Sequence, residues 1–380
     1  MLSWAGVGHS PPEEMKNLRF IEIIPRLFCR RSTPLQLVYF ITSKCNLKCE
    51  HCFYAERLNK EVKELSLDEV EKASKGMGRL LWLSLTGGEP FLRKDIAQTA
   101  EMFYRNNSFG ILTIVTNGTL HDFITESVSD ICGKCRDSNI VLYVSIDGLE
   151  KMHDDLRGSS GAFKQALGTI KSLKELKKSF KNLYVGTVTT INRKNQSEMK
   201  ELALFLKDEV SPDSITINML RGRPKMAKMG EIDIKNYFDF IRIQQEGFRK
   251  KELGYPGMLG GRLLWQREAL QKEIIATVLK ENRFVLPCLA GRVSCVMTEC
   301  GDIYPCEILE ERIGNIREAG YDFKKIWVSK EAKEIRKRIK DTRCFCTYEC
   351  AITTNILFNV KELFKILGRL FLGRKSYNLK

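Results

Sequence analysis

Short apolar runs alternate along the first two-thirds of the chain with stretches whose apolar positions recur at helical spacing. The runs predict strands at residues 35–41, 80–86, 111–116, 140–146, 183–191 and 214–219. Between them, Ser66 and Glu69 have the spacing of a capping box, and Leu67, Val70 and Ala73 open a helical face behind them. Phe163, Leu167, Ile170, Leu173 and Leu176 mark a helix after the fourth strand. Strand-helix alternation of this kind builds a parallel sheet with crossover helices. Six units are too few for a closed eight-unit barrel, and a partial six-unit barrel fits.

The predicted class is therefore α/β, a partial (β/α)6 TIM-type barrel over residues 35–222, with flanks of different character. Residues 1–34 hold an apolar and basic lead-in that Pro25 interrupts. Residues 223–283 are charged and helical, with a linker from Lys225 to Met229. Residues 284–351 form a small cysteine-rich domain of short strands and glycine turns. In the tail, 352–380, one helix is expected, with Ile356, Leu357, Val360, Leu363, Phe364, Leu367, Leu370 and Phe371 on one face and Lys361, Lys365 and Arg369 on the other.

At 380 residues with 43% apolar and 29% charged, the composition is that of a globular protein. Thirteen cysteines change the picture. A long chain whose first residues lack a basic and then apolar leader points away from a disulfide scaffold and toward metal ligation in the cytoplasm. No apolar run reaches the roughly 18 residues of a membrane span. The formal charge of +15 biases the protein toward anionic partners, of which nucleic acid is disfavoured. Six basic residues against Glu362 alone make the tail a candidate for peripheral contact with an acidic bilayer at 355–380; docking on the enzyme's own body is the alternative.

The chemistry concentrates after the first strand, where Cys45, Cys49 and Cys52 have the spacing C-x3-C-x2-C. Three thiolates on one loop leave one iron of a cubane open. Zinc or buried thiols are the alternatives, although structural zinc favours separated pairs. One strand further on, Gly87-Gly88-Glu89-Pro90 follows directly, and two glycines there let the backbone approach a ligand.

With these motifs the chain resembles the radical S-adenosylmethionine enzymes, whose fold is the partial barrel. The resemblance implies that Cys45, Cys49 and Cys52 hold a 4Fe-4S cluster whose open iron chelates S-adenosylmethionine. One electron from an external reductant, passed through the cluster, then frees a 5'-deoxyadenosyl radical that takes hydrogen from a substrate. Gly87, Gly88 and Glu89 would meet the cofactor's amino group, and Ser145 and Arg157 its carboxylate. His51 would lie near the adenine. Arg157 has a second reading, as an ion pair with Asp147 or Asp154.

Cys288, Gly301, Cys306 and Gly314-Asn315, followed by Cys344, Cys346 and Cys350, look like the SPASM or twitch extension of that family, which binds auxiliary 4Fe-4S clusters. One auxiliary cluster is expected, on Cys288, Cys306, Cys350 and one of Cys344 or Cys346. Cys295 competes as a fourth ligand, and zinc remains the alternative. Cys132-Gly133-Lys134-Cys135 has redox spacing but lies away from the strand ends that carry chemistry. No catalytic residue beyond these is assigned. A lipid-linked or glycosylated substrate, a peptide substrate, and a zinc-stabilised nucleic-acid-binding protein are the competing readings.

Overall fold

A computed structural model describes residues 33–222, 229–254 and 261–372. Most of the lead-in, most of the linker from Lys225 and the end of the tail lie outside the described residues. Six parallel strands run in sequential order: β1 (Gln36–Thr42), β2 (Trp82–Gly87), β3 (Ile111–Thr116), β4 (Asn139–Ser145), β5 (Leu183–Ile191) and β6 (Ser214–Met219). Their outer faces, among them Leu37, Leu83, Leu112, Leu142, Val185 and Ile215, are fully buried under the crossover helices. Their inner faces alternate with these and turn Val38, Trp82, Thr113, Tyr143, Val188 and Thr216 toward a central cavity.

The crossover helices are α1 (Leu67–Gly76), α2 (Ile96–Asn107), α3 (His121–Lys134), α4 (Glu150–Arg157), α5 (Ala162–Leu176) and α6 (Met199–Phe205). The predicted capping box starts α1: Ser66 N donates to Glu69 Oε2 at 2.9 Å, and Glu69 N to Ser66 Oγ at 3.3 Å. Sequence periodicity missed α4, an eight-residue polar helix that Gly158 ends in a left-handed conformation (φ +64°).

The cysteine-rich segment is joined to the barrel through the sheet. Its strand β7 (Ser294–Met297) pairs in parallel with β1, and β8 (Asp302–Tyr304) and β9 (Gly314–Asn315) continue the sheet in antiparallel fashion. Arg317 forks onto Glu69 of α1 at 2.6 and 2.8 Å. Two long helices follow the barrel, α7 (Ile234–Lys250) and α8 (Gly261–Glu281), and four end the described chain: α9 (Phe323–Trp327), α10 (Lys330–Asp341), α11 (Glu349–Leu357) and α12 (Val360–Leu372).

Helix α11 stands across the open side of the barrel. Glu349 Oε1 accepts from Met219 N of β6 at 2.8 Å, and Thr354 bonds Gln36 of β1. The expected single tail helix is therefore two. Asn359 interrupts it, its side chain accepting from Lys361 N at 3.0 Å, so Ile356 and Leu357 belong to α11. Helix α12 buries Ile366 and leaves Val360, Phe364 and Leu367 facing solvent.

Candidate active site

The cysteine loop leaves the carboxyl end of β1 and is pinned from three sides. Asn59, held at φ +56°, accepts from Cys45 N at 2.9 Å and donates to Cys45 O at 3.0 Å. Asn46 joins Asn117 and Thr119 beyond β3 at 2.9 and 2.8 Å. Lys48 N and Glu50 N donate to carbonyls at the end of α4.

The fourth constraint comes from the two glycines. Gly88 N donates to Thr42 O and Glu89 N to Lys44 O. A Cβ on Gly87 would stand 2.3 Å from Thr42 O, and one on Gly88 2.2 Å from Lys44 O. These glycines admit the close approach of the cysteine loop's own backbone. Glu89 is buried, and its carboxylate accepts from Thr116 Oγ1, Asn117 N and Phe91 N at 2.8, 2.8 and 3.2 Å. Burial pushes its pKa up to about 6 against the pull of those donors. It ties the end of β2 to the end of β3.

Asp147, just past β4, organises the opposite wall. It is fully buried, and its Oδ2 lies 2.5 Å from Arg157 Nη2 and 3.1 Å from His51 Nε2. Its Oδ1 accepts from Thr190 N at 2.8 Å. Burial opposes its charge, yet Arg157 and His51 hold its carboxyl well below the usual range. The ion-pair reading of Arg157 is thus realised, and the same guanidinium reaches Cys49 Sγ at 3.8 Å. His153 Nδ1 accepts from Asp147 N, and burial with the Arg157 charge pushes its pKa down to about 4, so it stays neutral.

His51, Gly87, Gly88, Glu89, Ser145 and Arg157 all line one cavity of about 270 Å3 together with Cys45, Cys49 and Cys52. The donor set suits an iron-sulfur cluster: the twelve described cysteines are free, and burial pushes the Cys45 thiol up to about 11, a proton that metal ligation would displace. Buried Arg157 Nε and His51 Nδ1 have no hydrogen-bond partner. Among the described residues, no three His, Cys, Asp or Glu side chains stand close enough to hold a single metal ion.

In the C-terminal segment, the Cys344 thiol is hydrogen-bonded to Cys288, which draws Cys288 below its ordinary value. Cys306 and Cys346 lie within electrostatic reach of Cys288, so these four thiols form one group. Cys350 is placed differently. It lines the cavity, and its electrostatic neighbours are Glu307, Arg221, Tyr348 and Glu349. Cys295 packs in the core on β7, where burial pushes its thiol far up. Burial likewise raises Cys132 and Cys135, each to about 12, which does not suit a reactive dithiol.

Arg221, Asp147 and the polar faces of α8 and α11 were not singled out from sequence as site residues. Apart from the Arg157–Asp147 pair, their partners are remote in the chain, and the local signal is their position just beyond a strand or beside a cysteine.

Comparison with known proteins agrees with this geometry. Residues 39–206 match the family model of the radical SAM superfamily, and residues 288–351 that of an iron-sulfur cluster-binding domain, SPASM. The chain is 29% identical over 347 residues to an AdoMet-dependent heme synthase of Methanosarcina barkeri, covering 82% of this chain and 86% of that one. It is 24% identical to the antilisterial bacteriocin subtilosin biosynthesis protein AlbA of Bacillus subtilis, over 83% of this chain and 66% of that one. The fold resembles the crystal structure of Streptococcus suis SuiB bound to S-adenosylmethionine, with a TM-score of 0.56 at 18% identity over 87% of this chain and 75% of that one. These matches displace the zinc-stabilised alternative: the chain is an enzyme of the radical SAM superfamily, with a 4Fe-4S cluster and S-adenosylmethionine as cofactors and a C-terminal domain for auxiliary iron-sulfur binding.

Proposed function

We propose that this enzyme modifies a peptide held in the cavity between its two cysteine sets. The group bound at Cys45, Cys49 and Cys52, with S-adenosylmethionine, supplies one-electron cleavage and hydrogen abstraction, its electron coming from an external reductant. Arg157 and Ser145 would hold the cofactor's carboxylate, the backbone at Gly87 and Gly88 with Glu89 its amino group, and His51 would lie beside the adenine. Cys288, Cys306, Cys344 and Cys346 would hold the auxiliary cluster, leaving Cys350 on the cavity wall.

The observation that carries the substrate class is the charge balance of that wall. Arg157 is engaged by Asp147 and Arg221 by Glu307, whereas Arg267 bonds only the neutral Thr353 hydroxyl. No lysine lines the cavity among the described residues. A tetrapyrrole would bring several carboxylates, and Arg267 is a single lining cation to meet them. Ser84, Thr113, Thr216, Asn218 and Gln271 offer neutral donors and acceptors that suit amides. The similarity to AlbA supports the same reading.

The test is release of 5'-deoxyadenosine by anaerobically reconstituted full-length enzyme. A pool of unstructured peptides is expected to raise it at least about tenfold over the substrate-free rate, about 1.4 kcal/mol of transition-state stabilisation. Stimulation by iron coproporphyrin and by no peptide would overturn the assignment.

A second reading concerns where the enzyme works. No helix of the described residues is long and apolar enough to cross a membrane. Helix α12 nevertheless exposes Val360, Phe364 (69% accessible) and Leu367 in one stripe beside Lys361 and Lys365. A stripe of this kind suits the surface of an anionic bilayer. Phe364→Glu is expected to lower binding to phosphatidylserine-containing vesicles at least about fivefold in a flotation assay, roughly the 1 kcal/mol that losing part of one buried ring costs. Unchanged flotation would remove this reading.

A further inference from the structure

Arg221 lies two residues beyond β6, on the cavity wall between the two cysteine sets. Its guanidinium carbon stands 4.4 Å from the ring centroid of Phe53 and 4.5 Å from that of Tyr348. Its Nη2 lies 3.1 Å from Glu307 Oε2, and the Tyr348 hydroxyl donates to Glu307 Oε1. The four side chains close on one another.

Their chain positions give the arrangement its meaning. Phe53 directly follows Cys52, Glu307 directly follows Cys306, and Tyr348 lies between Cys346 and Cys350. The backbone after Arg221 is pressed against the same loop, for Gly222 holds φ +72° and a Cβ there would stand 2.9 Å from Phe53 Cβ. A planar guanidinium can stack between two rings and still present an edge to a carboxylate, which a lysine cannot do. With both faces covered and one edge paired, it is a poor receptor for an incoming anion and a good fastener. Losing one member of such a partly buried pair strands the other charge.

We propose that Arg221 is a positioning residue that clamps the C-terminal cysteine segment to the Cys45–Cys52 loop, fixing the spacing of the two iron-sulfur centres and holding up the reduction potential of the C-terminal one. A fixed cation beside a centre that gains an electron favours the reduced form, and charge near the sulfurs is a known lever on potential. Neutralising Arg221 lowers that potential. Neutralising Glu307 as well restores the charge balance and brings it back, but does not restore the clamp. The inference rests on the family assignment for the presence of two centres.

The experiment compares full-length wild type, Arg221→Met, Arg221→Lys and the Arg221→Met/Glu307→Gln pair, all prepared anaerobically. Readouts are iron content, potentiometric titration followed by electron paramagnetic resonance, and hydrogen exchange of the metal-free proteins. Arg221→Met is expected to keep its iron, to shift the C-terminal midpoint to lower potential, and to speed exchange at 305–309 and 344–351 at least about tenfold. The double variant is expected to return the midpoint toward wild type while exchange stays fast.

Arg221→Lys keeps the charge and loses the stack, so its midpoint stays near wild type while exchange rises; it decides the matter if Arg221→Met does not fold. Unchanged midpoints and exchange in Arg221→Met, or in Arg221→Lys should the first fail, overturn the clamp. Wild type lacking iron-sulfur signals would count against the family assignment instead, and the exchange comparison would still judge the clamp.

Discussion

Gly88→Ala is expected to lower the iron of anaerobically prepared protein from about eight to about four atoms per chain, as one of two cubanes is lost. The added methyl would stand 2.2 Å from Lys44 O, a backbone atom adjoining Cys45, so no rotamer relieves the contact. The loop must move, and the first cysteine moves with it. The C-terminal group of Cys288, Cys306, Cys344 and Cys346 has no contact at this position and keeps its centre. Overpacking of this kind costs about 1–3 kcal/mol, which urea unfolding of the metal-free protein would register. Gly168→Ala is the control. Its Cβ would meet nothing within 4 Å in the interior of α5, and it should stabilise by about 0.5–1 kcal/mol with iron unchanged. Equal iron in wild type and Gly88→Ala would refute the packing argument.

Asp147→Ala is expected to destabilise the metal-free protein by about 3–5 kcal/mol at pH 7, because Arg157 would be left buried without its partner. The pH dependence has a definite sign. The folded-state pKa of Asp147 lies below its unfolded value near 3.8, so its contribution is fully present above about pH 4 and is lost as pH falls through the folded value. The difference between wild type and variant should therefore hold constant from pH 5 to 8 and shrink on acidification. Urea titrations from about pH 8 down to about pH 2 test both statements; a difference under about 1 kcal/mol at pH 7 would show that Arg157 finds another partner.

Much of the barrel was legible because its strands are short, nearly continuous apolar runs, most of whose residues are buried. Strands β3, β5 and β6 begin and end where the apolar pattern places them, and β1, β2 and β4 differ from it by one or two residues. The three-cysteine spacing and the run from Gly87 to Pro90 were enough to gather most of the cavity's first wall. Helix α4 escaped because eight mostly polar residues carry little periodicity. The tail was read as one helix because Ile356 and Leu357 continue the apolar stripe of α12, while the interruption depends on a side-chain cap at Asn359. Asp147 and Arg221 were illegible as site residues for a different reason: a charge becomes informative when its burial and partners are known, and neither is a local property. The glycines marked a close approach of backbone, and the structure adds the cysteine loop as a neighbour at that point, which sequence could not name.

The parallel pairing of β1 with β7 bears on how this protein can be dissected. The first strand of the barrel finds its second neighbour only after nearly three hundred residues have been made. A fragment ending near residue 222 would present β1's unpaired amides and carbonyls as a sticky template for other chains. Domain-by-domain expression is consequently the wrong strategy for this enzyme, and during synthesis its earliest strand has to wait for a late one, an interval in which a chaperone has something to hold.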